Sequence, residues 1–151
     1  MYTKQEASRQ RQAFWTAFGQ YMKPVLSADY EPVNWVNYKT GIPGIYFRMD
    51  AGNKQASIAI ELSHTDLELQ RSCYDKFLGL KHILHEELGE EWQWQPFVED
   101  EYGKTISRIT AELQGVNIAL QEDWPQLISF FKQRIMALDA FWSMAKYGFD
   151  R

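Results

Sequence analysis

A chain of 151 residues, 45% apolar and 15% aromatic, is long enough for one ordinary domain, residues 1–151, with a firm core. Its 20 acidic and 16 basic side chains leave a net charge of -4, which excludes a general nucleic-acid coat, because such a coat needs Lys and Arg to displace counterions. The single cysteine, Cys73, excludes an intrachain disulfide, the opening MYTKQEASRQRQ has no apolar core of a signal peptide, and no apolar run is long enough to span a bilayer; a cytoplasmic chain with no membrane partner is expected.

Helical spacing of Ala7, Phe14, Phe18, Tyr21, Met22 and Val25 predicts a first helix from about Lys4 to Lys23. Thr3 and Glu6 fit a capping box, and Pro24 ends the helix. A short strand is expected around VNWVNY, then a hairpin over GIYFRMDAGNKQASIAIELSH, with Gly52-Asn53 as its turn. Setting Asp50 opposite Gln55 puts Phe47 opposite Ile58 and Ile45 opposite Ile60, so the large aliphatics share one face. The second helix is expected to start after Ser63, with Ser63 and Asp66 as a box, and to run to Leu88 before Gly89. Leu67, Tyr74, Phe77, Leu78, Leu84 and Leu88 form its apolar stripe. Two strands follow, near WQWQPFV and KTISRITAEL, with Pro96 marking an edge or a bulge. The last helix opens at Asp123, with Pro125 in its first turn and Gln126 completing a box. The expected class is α+β: an antiparallel sheet of about five strands with helices packed on one face, in the order α-β-β-β-α-β-β-α.

Asp50 and Glu61 on one hairpin invite comparison with nucleases that carry Asp and then Glu-x-Lys on such a hairpin. A metal centre of that kind needs two neighbouring carboxylates and a lysine. Ser63 stands where the lysine would be, and the expected register separates the two carboxylates by roughly 20 Å. No catalytic residue, cofactor or metal site is expected there. His82, His85 and Glu86 have a spacing that can ligate zinc, but no further Cys or His cluster supplies more ligands, so a solvated helix face is expected. Cys73 reads as a small buried residue. Lys81 and Gln70 project from the apolar side of the second helix; snorkelling of the lysine stem is the favoured reading, a buried polar contact the other.

The remaining surface of interest is the second sheet face. Alternation places Tyr46, Arg48, Glu61, Arg108 and Glu112 on it, with Arg108 expected to contact a Glu or an aromatic ring. Trp94 is a further candidate, although its face is not fixed by the pattern. Such a face suits a protein interface, where Trp, Tyr and Arg are enriched, or plain solvation, ahead of a base-stacking platform.

The chain also resembles a bacterial domain-of-unknown-function family that occurs alone or C-terminal to restriction-endonuclease-like nuclease domains. The resemblance is carried by Phe14-Trp15, Ile60-Glu61-Leu62, Leu88-Gly89 before Trp94, Arg108-Ile109 and the aromatic last helix, over about residues 10 to 147. It implies no activity. It implies a setting in DNA-modifying or defence systems, although no separate nuclease domain stands in this chain. The expected function is therefore a non-catalytic interaction or accessory module, docking a partner or forming a homodimer through aromatics such as Trp15, Phe130 and Phe141. The alternative is a nucleic-acid-binding protein or enzyme with a site on the open sheet face at Arg48, Arg108 and Trp94.

Overall fold

The computed structural model describes residues 3–149, so both ends of the expected domain lie outside the described residues. Helix α1 (Lys4–Met22) is followed by strands β1 (Ile45–Ala51) and β2 (Gln55–Leu62). Helices α2 (Leu67–Gly79) and α3 (Lys81–Leu88), strands β3 (Gln93–Glu99) and β4 (Thr105–Gln114), and helix α4 (Trp124–Ala145) complete the order, with short 3-10 turns before and after α4. The class is α+β with an antiparallel sheet, as expected. Among the described residues the sheet has four strands, in the order β1-β2-β4-β3, rather than about five.

The missing strand is VNWVNY. Asn34 accepts a hydrogen bond from the Asn37 amide at 3.0 Å, closing a local turn that competes with strand pairing. Trp35 is the one buried residue of this stretch and joins the core, its indole donating to the Val25 carbonyl at 2.9 Å. The expected second helix is two helices, interrupted after Gly79 at Leu80 (φ -106°, ψ 9°). Glycine is a poor helix former, and the break changes which residues face the core. On α2 the buried set is Gln70, Cys73, Tyr74 and Phe77, while Leu67 and Leu78 are exposed. Asp66 alone caps α2, accepting from the Glu68 and Leu69 amides. The Thr3–Glu6 box on α1 is present, but α4 has no side-chain cap, because Asp123 accepts from the Asn117 amide instead.

The hairpin register differs from the expected one by two positions: Asp50 pairs with Ser57, Phe47 with Ile60 and Ile45 with Leu62. A shift of two preserves the parity of a pleated strand, so every side chain keeps its expected face. Ile45, Phe47, Ile58, Ile60, Leu62 and Ile109 all point to the helices and are buried. Pro96 lies on the edge strand β3, at a bulge between Gln95 and Val98 where Phe97 has φ 50°.

Gln70 ties α2 to the sheet. Its amide nitrogen donates to the His64 and Thr105 carbonyls at 3.1 Å each, and its oxygen accepts from the Ser107 hydroxyl at 2.7 Å. Ser107 in turn accepts from the amide of the strained Phe97. This is the buried polar contact rather than the snorkelling arrangement. Lys81 is exposed, with its ammonium 5.4 Å from the Trp94 ring centre. Gln70→Leu is expected to lower stability by about 1–3 kcal/mol, the cost of leaving buried polar groups without partners. Chemical denaturation checks this, and a change within about 0.5 kcal/mol would show that the network is dispensable. No helix of the described residues is long and apolar enough to cross a membrane.

Candidate functional site

Because all the helices pack on one side, the other face of the sheet carries a groove of about 880 Å³. Its layout follows from register. One row across the sheet reads Tyr46, Glu61, Arg108, Gln95; the next reads Arg48, Ala59, Thr110, Gln93; the third reads Asp50, Ser57, Glu112. The centre of the face is therefore made of small side chains, Ser57, Ala59 and Thr110. Longer side chains surround it: Arg48 and Asp50 on β1, Glu61 and Arg108 in the adjoining row, Glu112 on β4 and Gln93 on β3. Thr110 is buried, and its hydroxyl donates to the Ile58 carbonyl at 3.1 Å.

Two arginines stand on this face. The Arg48 guanidinium lies 4.4 Å from the Tyr46 ring centre, and its Nε is 3.3 Å from Glu61 Oε2. Arg108 lies directly opposite Glu61, yet its Nε donates to the Gln95 amide oxygen at 2.5 Å. The expected Glu or aromatic contact for Arg108 is thus replaced by a neutral one, while Glu61 is held by Arg48.

Tyr46, Arg48, Glu61, Arg108 and Glu112 share the face and line the groove. Trp94 does not. It pairs with the buried Ile109 and packs edge-on against Tyr74 of α2 at 5.8 Å, and its indole donates to His85 Nε2 at 3.4 Å. Trp92 is buried, donating to Glu90 Oε2 at 2.7 Å. Glu90 also receives both arms of Arg134 at 2.9 Å each, and that guanidinium lies 4.2 Å from the Phe130 ring centre. Phe130 and Phe141 are buried, and Trp15 is half-buried against Phe131 at 5.1 Å. Phe130 and Phe141 are thus committed to the interior and are not open to a second contact, while Trp15 stays partly exposed.

Residues that the sequence reading passed over complete the lining. The end of β3 brings Glu99 to the groove, and the β3–β4 connection brings Asp100, Glu101, Tyr102 and Lys104. Asp100 shapes that connection by accepting from the Tyr102 and Lys104 amides, both at 2.9 Å. The signal was the acidic run VEDEYGK, which reads as a solvated turn until the topology sets it beside the sheet face.

The other candidates stand apart from this face. Glu61 lies four residues along β2 from Ser57, the partner of Asp50, which is roughly 14 Å at strand rise. The two carboxylates are too far apart to share one cation. No cluster of three metal-ligating side chains occurs among the described residues. Cys73 lines a cavity of about 190 Å³ with His64, Lys76 and Phe149. Burial pushes its thiol up to about 12, against a smaller downward pull from Lys76, so the thiol is protonated and unreactive at neutral pH. Burial also lowers the His64 imidazole, which stays neutral there.

With this geometry established, comparison with known families matches the chain to the family described as Domain of unknown function (DUF4268), over residues 10–146. The chain belongs to this family. The matched span of the DUF4268 domain includes all four strands and therefore the whole open face, along with α1 from its residue 10 onward and all of α4. No curated protein and no solved structure shows significant similarity to the chain.

Proposed function

We propose that this DUF4268 domain is a non-catalytic interaction module that docks a partner protein on the open face of its sheet, as an accessory to DNA-processing or defence systems. The observation that carries the reading is the groove itself, a broad polar face left without helical cover. Its floor of small side chains is flanked by Tyr46, Arg48 and Arg108, residue types enriched at protein interfaces. Six carboxylates and three cations line it, a charge balance that disfavours phosphate backbones and so ranks the nucleic-acid alternative second. The same balance sets like charges against each other if two copies meet face to face, so a different chain is preferred to a second copy. The setting in DNA processing or defence rests on the family resemblance, and neighbouring nuclease or methyltransferase genes would support it.

The test is site-directed photo-crosslinking in cells. A photoreactive side chain at Ser57, on the groove floor, is expected to form a covalent adduct with another protein. The same group at Glu122, outside the groove, is expected to form none, and adding Ala59→Arg is expected to abolish the Ser57 adduct. Adducts that are equal at both positions, or nucleic acid captured from Ser57 instead of protein, would overturn the reading.

A further inference from the structure

We infer that the occupant of the open sheet face is a cationic polypeptide segment whose Lys or Arg side chains seat against the groove's carboxylates. The inference rests on the docking reading above and names the partner's chemistry. Shape limits the occupant first. The small-residue floor, Ser57 and Ala59 on β2 with Thr110 on β4, lies between β1 on one side and β3 on the other. Three inter-strand spacings come to about 14 Å, room for a single extended chain or one helix.

Charge then selects among polypeptides. Of the six lining carboxylates, Glu61 is paired with Arg48, and Asp100 is engaged by backbone amides of its own turn. Among the described residues, the carboxylates of Asp50, Glu99, Glu101 and Glu112 make no hydrogen bond or ion pair. Arg108, the cation nearest the centre, is bonded to the neutral Gln95, so its charge is not cancelled by contact with a carboxylate. The groove as a whole still carries more acid than base, and a cationic segment is the partner that relieves it.

The face also contains its own example of the chemistry. Arg48 shows how a guanidinium is held there, between the Tyr46 ring and the Glu61 carboxylate. Tyr102 offers the same kind of surface on the β3–β4 connection. It follows Glu101 directly and is 86% exposed, and among the described residues no guanidinium lies over its ring. An incoming Arg or Lys would complete at Tyr102 the arrangement that Arg48 completes at Tyr46.

Titration of the full chain with labelled oligo-arginine and oligo-lysine peptides, followed by fluorescence anisotropy, tests the inference. Oligo-glutamate, single-stranded DNA and the small polycation spermine serve as controls. Binding of the cationic peptides is expected, weakening as salt rises. It should fall by about tenfold or more in Glu99→Gln/Glu101→Gln/Glu112→Gln, all surface changes that leave the melting temperature in place. Glu122→Gln should leave it unchanged. Peptide binding that survives the triple change, spermine competing as well as the peptides at equal charge, or binding of the DNA instead would each overturn the inference. Failure here is separable from failure of the docking reading. Protein adducts from Ser57 that persist while the cationic peptides fail to bind would remove only the cationic partner. Loss of the Ser57 adducts would remove the docking surface itself.

Discussion

Phe131→Ala is expected to destabilise the fold by about 3–5 kcal/mol, the transfer and cavity cost of deleting a fully buried aromatic ring. Phe131 sits at 0% exposure on α4, with ring centres of Trp15 at 5.1 Å, Phe18 at 6.0 Å and Phe14 at 6.2 Å. It thus joins α4 to α1, and α1 has few other anchors: its own buried residues are Phe14, Phe18 and Met22. Removing the ring leaves a void that two separate helices must close together. Urea unfolding followed by tryptophan fluorescence gives the number. Phe131→Leu, which keeps most of the apolar volume, should cost clearly less. A loss below about 1 kcal/mol for the alanine variant would mean that α1 settles into the void without penalty.

The aromatic stripe behind that expectation is plain in the sequence, as are the α+β class and the faces of the hairpin. These rest on apolar periodicity, which survives errors of detail. The hairpin shows why: its register was off by two positions and no side chain changed face. What was not legible depends on single polar groups. Asn34 bonding the Asn37 amide diverts VNWVNY from a strand, although its composition suits one. Gln70 occupies a core position that the pattern assigns to an apolar residue, because three partners distant in sequence satisfy its amide. The face of Trp94 is likewise undetermined until β3 is paired with β4, since alternation sets Trp92 and Trp94 on one face of the strand without saying which. Of the open face, the residues on β1, β2 and β4 follow from alternation. The acidic connection between β3 and β4 does not, because its nearness to the groove is a product of topology.

Asp139 is the polar group with the largest expected effect. It lies on the buried face of α4 at 4% exposure, where an unpaired carboxylate would be strongly unfavourable. It is satisfied from the long segment between α1 and β1: the Ala28 amide donates to Oδ2 at 2.7 Å, and the Tyr38 hydroxyl donates to Oδ1 at 2.5 Å. Three residues further on, the Trp142 indole donates to the Thr40 carbonyl at 2.8 Å. One face of α4 therefore holds a segment that has no strand or helix of its own. Asp139→Ala leaves two part-buried donors without an acceptor and should cost about 2 kcal/mol or more, at about 1–3 kcal/mol for each. Asp139→Asn keeps one acceptor oxygen and should fall between the alanine variant and the wild type. Tyr38→Phe combined with Asp139→Ala should cost less than the sum of the single changes, since they remove a shared contact. The pair also has a signature in pH. Burial, followed by the hydrogen bond to Asp139, raises the Tyr38 phenol well above its ordinary value. The unfolded chain would lose that proton near its usual pKa of about 10. Below that pH both states keep the proton and the contribution is intact; above it the unfolded state alone releases the proton, and stability falls as pH rises. Wild-type stability should decline above about pH 10 with a slope that Tyr38→Phe reduces. Limited proteolysis of Asp139→Ala at neutral pH should cut first within residues 23–44, while the sheet and α4 stay intact. If Asp139→Ala is within about 0.5 kcal/mol of wild type, or the alkaline slope is the same in Tyr38→Phe, then the segment is held by Trp35 and Trp142 and the carboxylate is incidental.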